Sequence, residues 1–118
     1  MTLRQIGFVF PGQGGQRVGM GKDLIDVFPL ASRYFDQAKE ILGYDLASIC
    51  FEGPAEDLTL TENAQPAIML ISYSIYKLIT EEFGIETKNI KYFCGHSLGE
   101  YSALVSLGSI SFEDALYL

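Results

Sequence analysis

A serine flanked by glycines is the strongest chemical signal in the sequence. Ser97 stands in Gly95-His96-Ser97-Leu98-Gly99, a G-x-S-x-G pattern between an apolar run and a helical pattern. A chain that turns abruptly from a strand into a helix needs a strained residue with positive φ at the apex, and small residues two positions away let the backbone close up. Ser97 is therefore a candidate nucleophile, with the backbone N–H of Leu98 aimed at a developing oxyanion. The simpler alternative is an ordinary loop whose serine caps the helix.

A nucleophilic serine needs a base, and the sequence offers no suitable one. The single histidine, His96, directly precedes Ser97, and adjacent side chains diverge at a sharp turn. We interpret His96 as a packed or hydrogen-bonded residue at a strand end, and we expect the base to lie outside this sequence. No spacing of His, Cys, Asp and Glu suggests a metal site, and no pair of carboxylates suggests a glycosidase.

A glycine-rich segment, Pro11–Gly21, follows the first apolar run. Glycine fills five of its eleven positions, so the segment is predicted to be a loop. It does not match a nucleotide-binding loop, because Arg17 stands where G-x-G-x-x-G requires its third glycine, and no G-K-[ST] is present. Gln13 and Gln16 could supply an N–H or a side-chain amide to a second site. A merely structural loop is the alternative.

The elements that must position these residues are two strands and several helices. Ile6–Phe10 and Ile90–Cys94 are short apolar runs that predict buried strands, and helices between them indicate a parallel α/β fold. The predicted helices are one from Pro29 to Gly43, a short one capped by Asp45 and stopped by Gly53, one from about Pro66 to Phe83 closed by Gly84, one that includes Tyr101–Val105 and ends at Gly108, and one that begins at Ser111. The long helix is predicted to bury Ile68, Ile71, Ile75, Leu78 and Ile79.

Composition and charge narrow the possible function classes. The composition, 48% apolar and 19% charged, is typical of a globular protein, and 118 residues are too few for more than one ordinary domain. A net charge of −7 without a basic cluster argues against nucleic-acid binding, and no apolar run is long enough for a membrane span. The N-terminal segment lacks a signal or transit pattern, so we expect a cytoplasmic location, with a mitochondrial one left open. Cys50 and Cys94 are expected to be buried thiols in a reducing compartment.

Three segments together resemble one known family. They are FVFPGQGGQRVGMG at 8–21, TENAQPAIML at 61–70 and GHSLGEYSALV at 95–105. In this order they resemble the acyltransferase family of fatty-acid and polyketide synthesis, and most closely its discrete malonyl-transferring members. The resemblance covers Ile6 to Leu118.

The resemblance implies a fold that extends beyond these residues. It implies a partial three-layer, α/β-hydrolase-like large subdomain with a parallel sheet, and residues 1–118 as the N-terminal part of a single acyltransferase domain. The family's ferredoxin-like small subdomain is absent from this chain. The family's catalytic histidine would follow far beyond the turn at Ser97, and its carboxylate-binding arginine shortly after Leu118.

The resemblance also implies a reaction and the residues that perform it. Ser97 would accept a malonyl group from malonyl-CoA and pass it to the phosphopantetheine thiol of acyl carrier protein, without a metal or cofactor. The backbone N–H of Gln13 would join that of Leu98 in the oxyanion hole, and Gln65 would line the acyl pocket. Two alternatives remain: a serine esterase of the α/β-hydrolase type, disfavoured because PGQGGQ replaces an HGGG-type loop, and a truncated, non-catalytic fragment.

Overall fold

The computed structural model describes residues 6–85, 90–95 and 97–117 and shows an α/β arrangement. In chain order the elements are β1 (Ile6–Phe10), α1 (Lys22–Val27), α2 (Pro29–Leu42), α3 (Leu46–Glu52), α4 (Ala55–Thr59), α5 (Thr61–Lys77), a π-helical turn (Leu78–Glu82), β2 (Ile90–Gly95), α6 (Gly99–Leu107) and α7 (Phe112–Tyr117). Among the described residues, no helix is both long and apolar enough to cross a membrane.

The two strands pair in parallel, which confirms the predicted sheet type. Phe8 lies opposite Phe93, and Phe10 lies opposite Gly95. The carboxyl ends of β1 and β2 are therefore level, and the segments that leave them start side by side. This register brings the glycine-rich segment and the serine turn to one edge of the sheet, where open α/β sheets bind their ligands.

One face of the sheet packs on helices. Phe8 and Phe93 both contact the ring of Tyr76 on α5, with ring centroids 5.3 and 5.6 Å apart. Phe10 is buried in the same cluster, together with Ala103 of α6. These contacts fix the two helices that flank the candidate site against the strands that carry it.

In the part of the chain that the structure describes, the opposite face of the sheet is uncovered. Val9 is 80% exposed and Tyr92 60% exposed, and Cys94 on the same face is exposed as well. The prediction that both cysteines are buried is therefore wrong for Cys94, because the described residues supply no layer over this face. The predicted α/β fold with a parallel sheet is confirmed, and the described residues form two of the three expected layers.

The larger core lies among the helices and contains the other cysteine, Cys50. Its buried members come from α2 to α7 and include Tyr34, Phe35, Leu46, Cys50, Leu58, Met69, Leu70, Val105 and Leu116. Burial raises the pKa of the Cys50 thiol to about 12, so this side chain behaves as a small apolar residue. The prediction that Cys50 is buried is confirmed.

Helix α5 starts earlier than the sequence pattern predicts. The carbonyl of Leu60 accepts hydrogen bonds from the amides of Asn63 and Ala64, at 2.9 and 2.7 Å, so the helix begins at Thr61 and Pro66 lies inside it. The carbonyl of Glu62 loses its helical donor, but Glu62 is exposed and water can replace that donor.

The buried stripe predicted for this long helix is partly wrong. Ile68 and Leu78 are buried as predicted, but Ile75 is 40% exposed. Instead Met69 and Leu70 enter the core, because α5 packs on both the strands and the other helices and so buries more than one side.

Several helix ends agree with the predicted caps. The Asp45 carboxylate accepts a hydrogen bond from the Ser48 amide at 3.2 Å, and the Ser111 hydroxyl accepts one from the Asp114 amide at 3.1 Å. Gly43 and Gly108 adopt positive φ where α2 and α6 end. The sequence analysis missed α1 and α4, whose five or six residues are too few to show a periodic pattern.

Candidate active site

Ser97 occupies the strained turn that the sequence pattern predicts. Its φ is +53°, the one positive value at a non-glycine residue in the described part of the chain. Only three positions separate the end of β2 at Gly95 from the start of α6 at Gly99. The Ser97 residue is exposed. A hydroxyl is thus presented at a helix N-terminus, where the helix dipole favours developing negative charge.

The glycines on either side of the serine are required by close backbone contacts. A Cβ atom at Gly95 would collide with the carbonyl group of Gly99 and the amide nitrogen of Glu100. A Cβ atom at Gly99 would collide with the carbonyl oxygen of Phe10. The start of α6 is therefore pressed against the end of β1, which sets the serine turn beside the glycine-rich loop.

The backbone N–H of Leu98 is available to a ligand. Leu98 precedes α6 in helical conformation, and the carbonyl of Leu98 accepts the Tyr101 amide at 2.9 Å. Among the residues that the structure describes, no acceptor is recorded for the Leu98 N–H. The first amides of a helix have no intrahelical partner and commonly bind anions.

The glycine-rich loop begins with a tight turn that carries Gln13. The Gly15 amide donates to the Gly12 carbonyl at 3.3 Å, and Gly14 has a φ of +112°. The Gly14 amide donates to Oε1 of Gln16 at 2.7 Å. Within the described part of the chain no acceptor is recorded for the Gln13 N–H, so this amide, like that of Leu98, is free to donate.

The side chain of Gln13 reaches across to α5. Its Nε2 donates to the hydroxyl of Thr61 at 3.0 Å, and its Oε1 accepts a hydrogen bond from Nε2 of Gln65 at 3.4 Å. The structure therefore brings together two of the residues that the sequence analysis selected, Gln13 and Gln65. Thr61 was missed, although its spacing of four from Gln65 places both on one face of a helix.

A cavity of about 290 Å³ joins Gln65 to Leu98. It lies between the start of α5, the start of α6 and the end of α7, and its volume is near the lower limit of ligand pockets, about 300 Å³. Its lining residues are Leu42, Thr61, Glu62, Gln65, Pro66, Met69, Leu98, Tyr101, Ala115 and Leu116. The cavity can hold a small acyl group, with the Gln65 amide as a polar contact.

The described residues do not supply a base for Ser97. They contain no histidine, because His96 lies outside them. In these same ranges no group of His, Cys, Asp and Glu could hold a metal ion. The described arrangement can therefore stabilise an acyl oxyanion at a serine.

Known proteins resemble this chain over nearly its whole length. The family profile described as an acyl transferase domain matches residues 7–118. The malonyl CoA-acyl carrier protein transacylase of Bacillus subtilis strain 168 is 50% identical over 98% of this chain and 35% of its own length.

Solved structures of two such proteins also superpose on this chain. The acyl-carrier-protein-S-malonyltransferase from Bartonella henselae superposes with a TM-score of 0.89 and 44% identity, over 96% of this chain and 36% of that structure. A malonyl-transacylase in complex with its type II PKS acyl-carrier protein superposes with a TM-score of 0.86 and 41% identity, over the same shares. The chain thus spans about 36% of the length of these relatives.

Proposed function

Because this chain belongs to the acyl transferase domain family, we propose that the protein transfers a malonyl group from malonyl-CoA to the phosphopantetheine thiol of acyl carrier protein, in fatty-acid biosynthesis. The observation that carries the proposal is Ser97 at a φ of +53°, two residues before α6 and next to the Leu98 amide, for which the described residues provide no acceptor. Relatives named as malonyl transacylases support the choice of acyl group and carrier.

The first half-reaction forms an ester on Ser97. The Oγ atom attacks the thioester carbonyl carbon of malonyl-CoA and gives its proton to a base. The carbonyl oxygen becomes an oxyanion that accepts hydrogen bonds from the backbone N–H groups of Leu98 and Gln13. When the carbonyl re-forms, the bond to sulfur breaks and the coenzyme A thiolate takes the proton from the base.

The second half-reaction reverses these steps with a different thiol. The phosphopantetheine sulfur of the carrier protein loses its proton to the base and attacks the carbonyl carbon of the malonyl ester. The same two N–H groups stabilise the oxyanion, and the Ser97 oxygen leaves and regains a proton. An exposed Ser97 suits this chemistry, because two large thiol carriers must reach it in turn.

The cavity at Gln65 is the proposed place for the malonyl group. Among the described residues, those that line it include the acidic Glu62 and no Lys, Arg or His. A malonyl carboxylate there needs a cation, because burying an unpaired charge is costly. The resemblance to the acyltransferase family assigns that role to an arginine shortly after Leu118, and Ala115 and Leu116 of α7 line the cavity.

We propose that residues 1–118 are the N-terminal part of one acyltransferase domain. The chain spans about 36% of its relatives' length, and one face of its sheet is uncovered. The base and the remaining layer would then come from the rest of the protein. A cytoplasmic location remains a prediction.

The proposal is tested with the protein expressed from its full reading frame. Incubated with malonyl-CoA and holo acyl carrier protein, it should form malonyl-carrier protein and release coenzyme A in equal amounts. Hydrolysis of malonyl-CoA without transfer, together with turnover of simple esters, would support the serine esterase instead. No reaction with either class of substrate would support a non-catalytic protein.

A further inference from the structure

The side-chain amide of Gln13 meets one face of α5 at both ends, with a good hydrogen bond at Nε2 and a weak one at Oε1. The Thr61 hydroxyl accepts from its Nε2 at 3.0 Å, and the Gln65 Nε2 donates to its Oε1 at 3.4 Å. Both partners lie in the first two turns of α5, which is anchored in the cores of the molecule. Both ends of the Gln13 carboxamide are therefore hydrogen-bonded within the protein, to residues of α5.

The loop that carries Gln13 needs such an anchor. Gln13 stands between Gly12 and Gly14, and glycine populates more backbone conformations than any other residue. Within the described residues the turn is closed by the weak 3.3 Å bond from Gly15 to Gly12 and by the bond from Gly14 to the Gln16 side chain. Both bonds are internal to the turn, and the loop's backbone hydrogen bond to α3, from the Gly19 amide to the Cys50 carbonyl at 2.7 Å, lies six residues beyond Gln13.

We propose that Thr61 is a positioning residue for the oxyanion hole. Its hydroxyl holds the Gln13 side chain, and through it orients the Gln13 peptide so that the backbone N–H points at the acyl oxygen on Ser97. This inference rests on the proposed function, in which that N–H is an oxyanion donor. Thr61 touches neither the reacting atoms nor the base in this role and acts only through Gln13.

The test compares Thr61→Val, which keeps the shape but loses the acceptor, with Thr61→Ser, which keeps the hydroxyl. In the protein expressed from its full reading frame, Thr61→Val should lower the rate constant of Ser97 acylation by malonyl-CoA about tenfold, with KM little changed. Thr61→Ser should stay within about twofold of the parent protein. Thr59→Val is the matched control, because the Thr59 hydroxyl donates to the Ala55 carbonyl in its own helix α4 and bonds nothing else among the described residues.

A double-mutant cycle separates positioning from a direct effect on the cavity that Thr61 also lines. Thr61→Val should cause no further loss in a Gln13→Ala background, since the group through which it acts is gone. Full additivity of the two losses, a loss confined to KM, or a loss shared by Thr61→Ser would overturn the inference.

A second readout does not depend on catalysis. In ¹H–¹⁵N spectra, Thr61→Val should shift the side-chain and backbone amide signals of Gln13, whereas Thr59→Val should leave them in place. Unmoved Gln13 signals would overturn the inference even if malonyl transfer is observed. Shifted signals in a protein that transfers no malonyl would uphold the Thr61–Gln13 contact while removing the oxyanion role with the proposed function.

Discussion

At the scale of single residues, the backbone of the site is defined by conformations that few residue types tolerate. Ser97 holds a φ of +53° and Gly14 a φ of +112°. For Ser97 this strain was predictable, because the G-x-S-x-G pattern between a strand and a helix demands it. The contacts of Gln13 with Thr61 and Gln65 were not predictable, because residues 48 and 52 positions apart meet only through tertiary packing.

The rate of Ser97 acylation should depend more on the backbone of the glycine-rich loop than on the side chain of Gln13. Gly14→Val should lower the acylation rate by about 10²–10³, because valine cannot hold the positive φ and the oxyanion donor is displaced. Gln13→Ala should cost about tenfold, since the N–H remains and only its anchor is lost. Single-turnover measurements with malonyl-CoA compare the two.

Gly43→Val provides the control for backbone strain in this pair. Gly43 has a φ of +82°, and a Cβ there, as at Gly14, meets nothing within 4 Å, but it belongs to the end of α2 and not to the loop. It should lower the melting temperature without a matching loss of acylation. A larger loss of acylation rate for Gln13→Ala than for Gly14→Val would show that the side chain of Gln13, and not its backbone N–H, stabilises the oxyanion.

At the scale of elements, the sequence predicts best where a local signal sets the boundary. The bounds of strand β1 and the helix starts capped by Asp45 and Ser111 are predictable from the types of residue at those positions. The start of α5 does not, because Leu60 caps it with its backbone carbonyl and no side chain takes part. The exposure of Cys94 depends on a layer that the described residues do not contain, so the apolar strand pattern alone was misleading.

The two cysteines report separately on the core and on the open sheet face. A thiol reagent at about pH 8 should alkylate Cys94 quickly in residues 1–118. In the protein expressed from its full reading frame it should alkylate Cys50 only after unfolding, because burial holds the Cys50 thiol protonated, with a pKa of about 12. Cys94→Ser and Cys50→Ala variants assign the two rates by mass spectrometry.

The same labelling tests whether the sheet face becomes covered. In the protein expressed from its full reading frame, Cys94 should react at least about tenfold more slowly, because we propose that a further layer packs on Val9 and Tyr92. Equal Cys94 rates in the two proteins would contradict the proposed third layer.

At the scale of the whole molecule, stability should depend on polypeptide beyond these residues. Two strands with one bare face leave Val9 80% and Tyr92 60% exposed, and a two-stranded sheet has few neighbours to hold it. Residues 1–118 alone should therefore show weak amide protection in β1 and β2, and the full-reading-frame protein strong protection. Hydrogen exchange followed by mass spectrometry measures both, and strong cooperative protection of residues 1–118 alone would refute this expectation.

The central claim, that Ser97 carries the malonyl group, is tested most directly by mapping the covalent intermediate. The protein expressed from its full reading frame is incubated with malonyl-CoA without carrier protein, quenched in acid, digested and analysed by mass spectrometry. We predict one malonyl ester, on Ser97, which disappears in Ser97→Ala at an unchanged melting temperature and persists in Ser109→Ala, a change at an exposed serine between α6 and α7. A malonyl group on any other residue, or undiminished turnover by Ser97→Ala, would contradict the account.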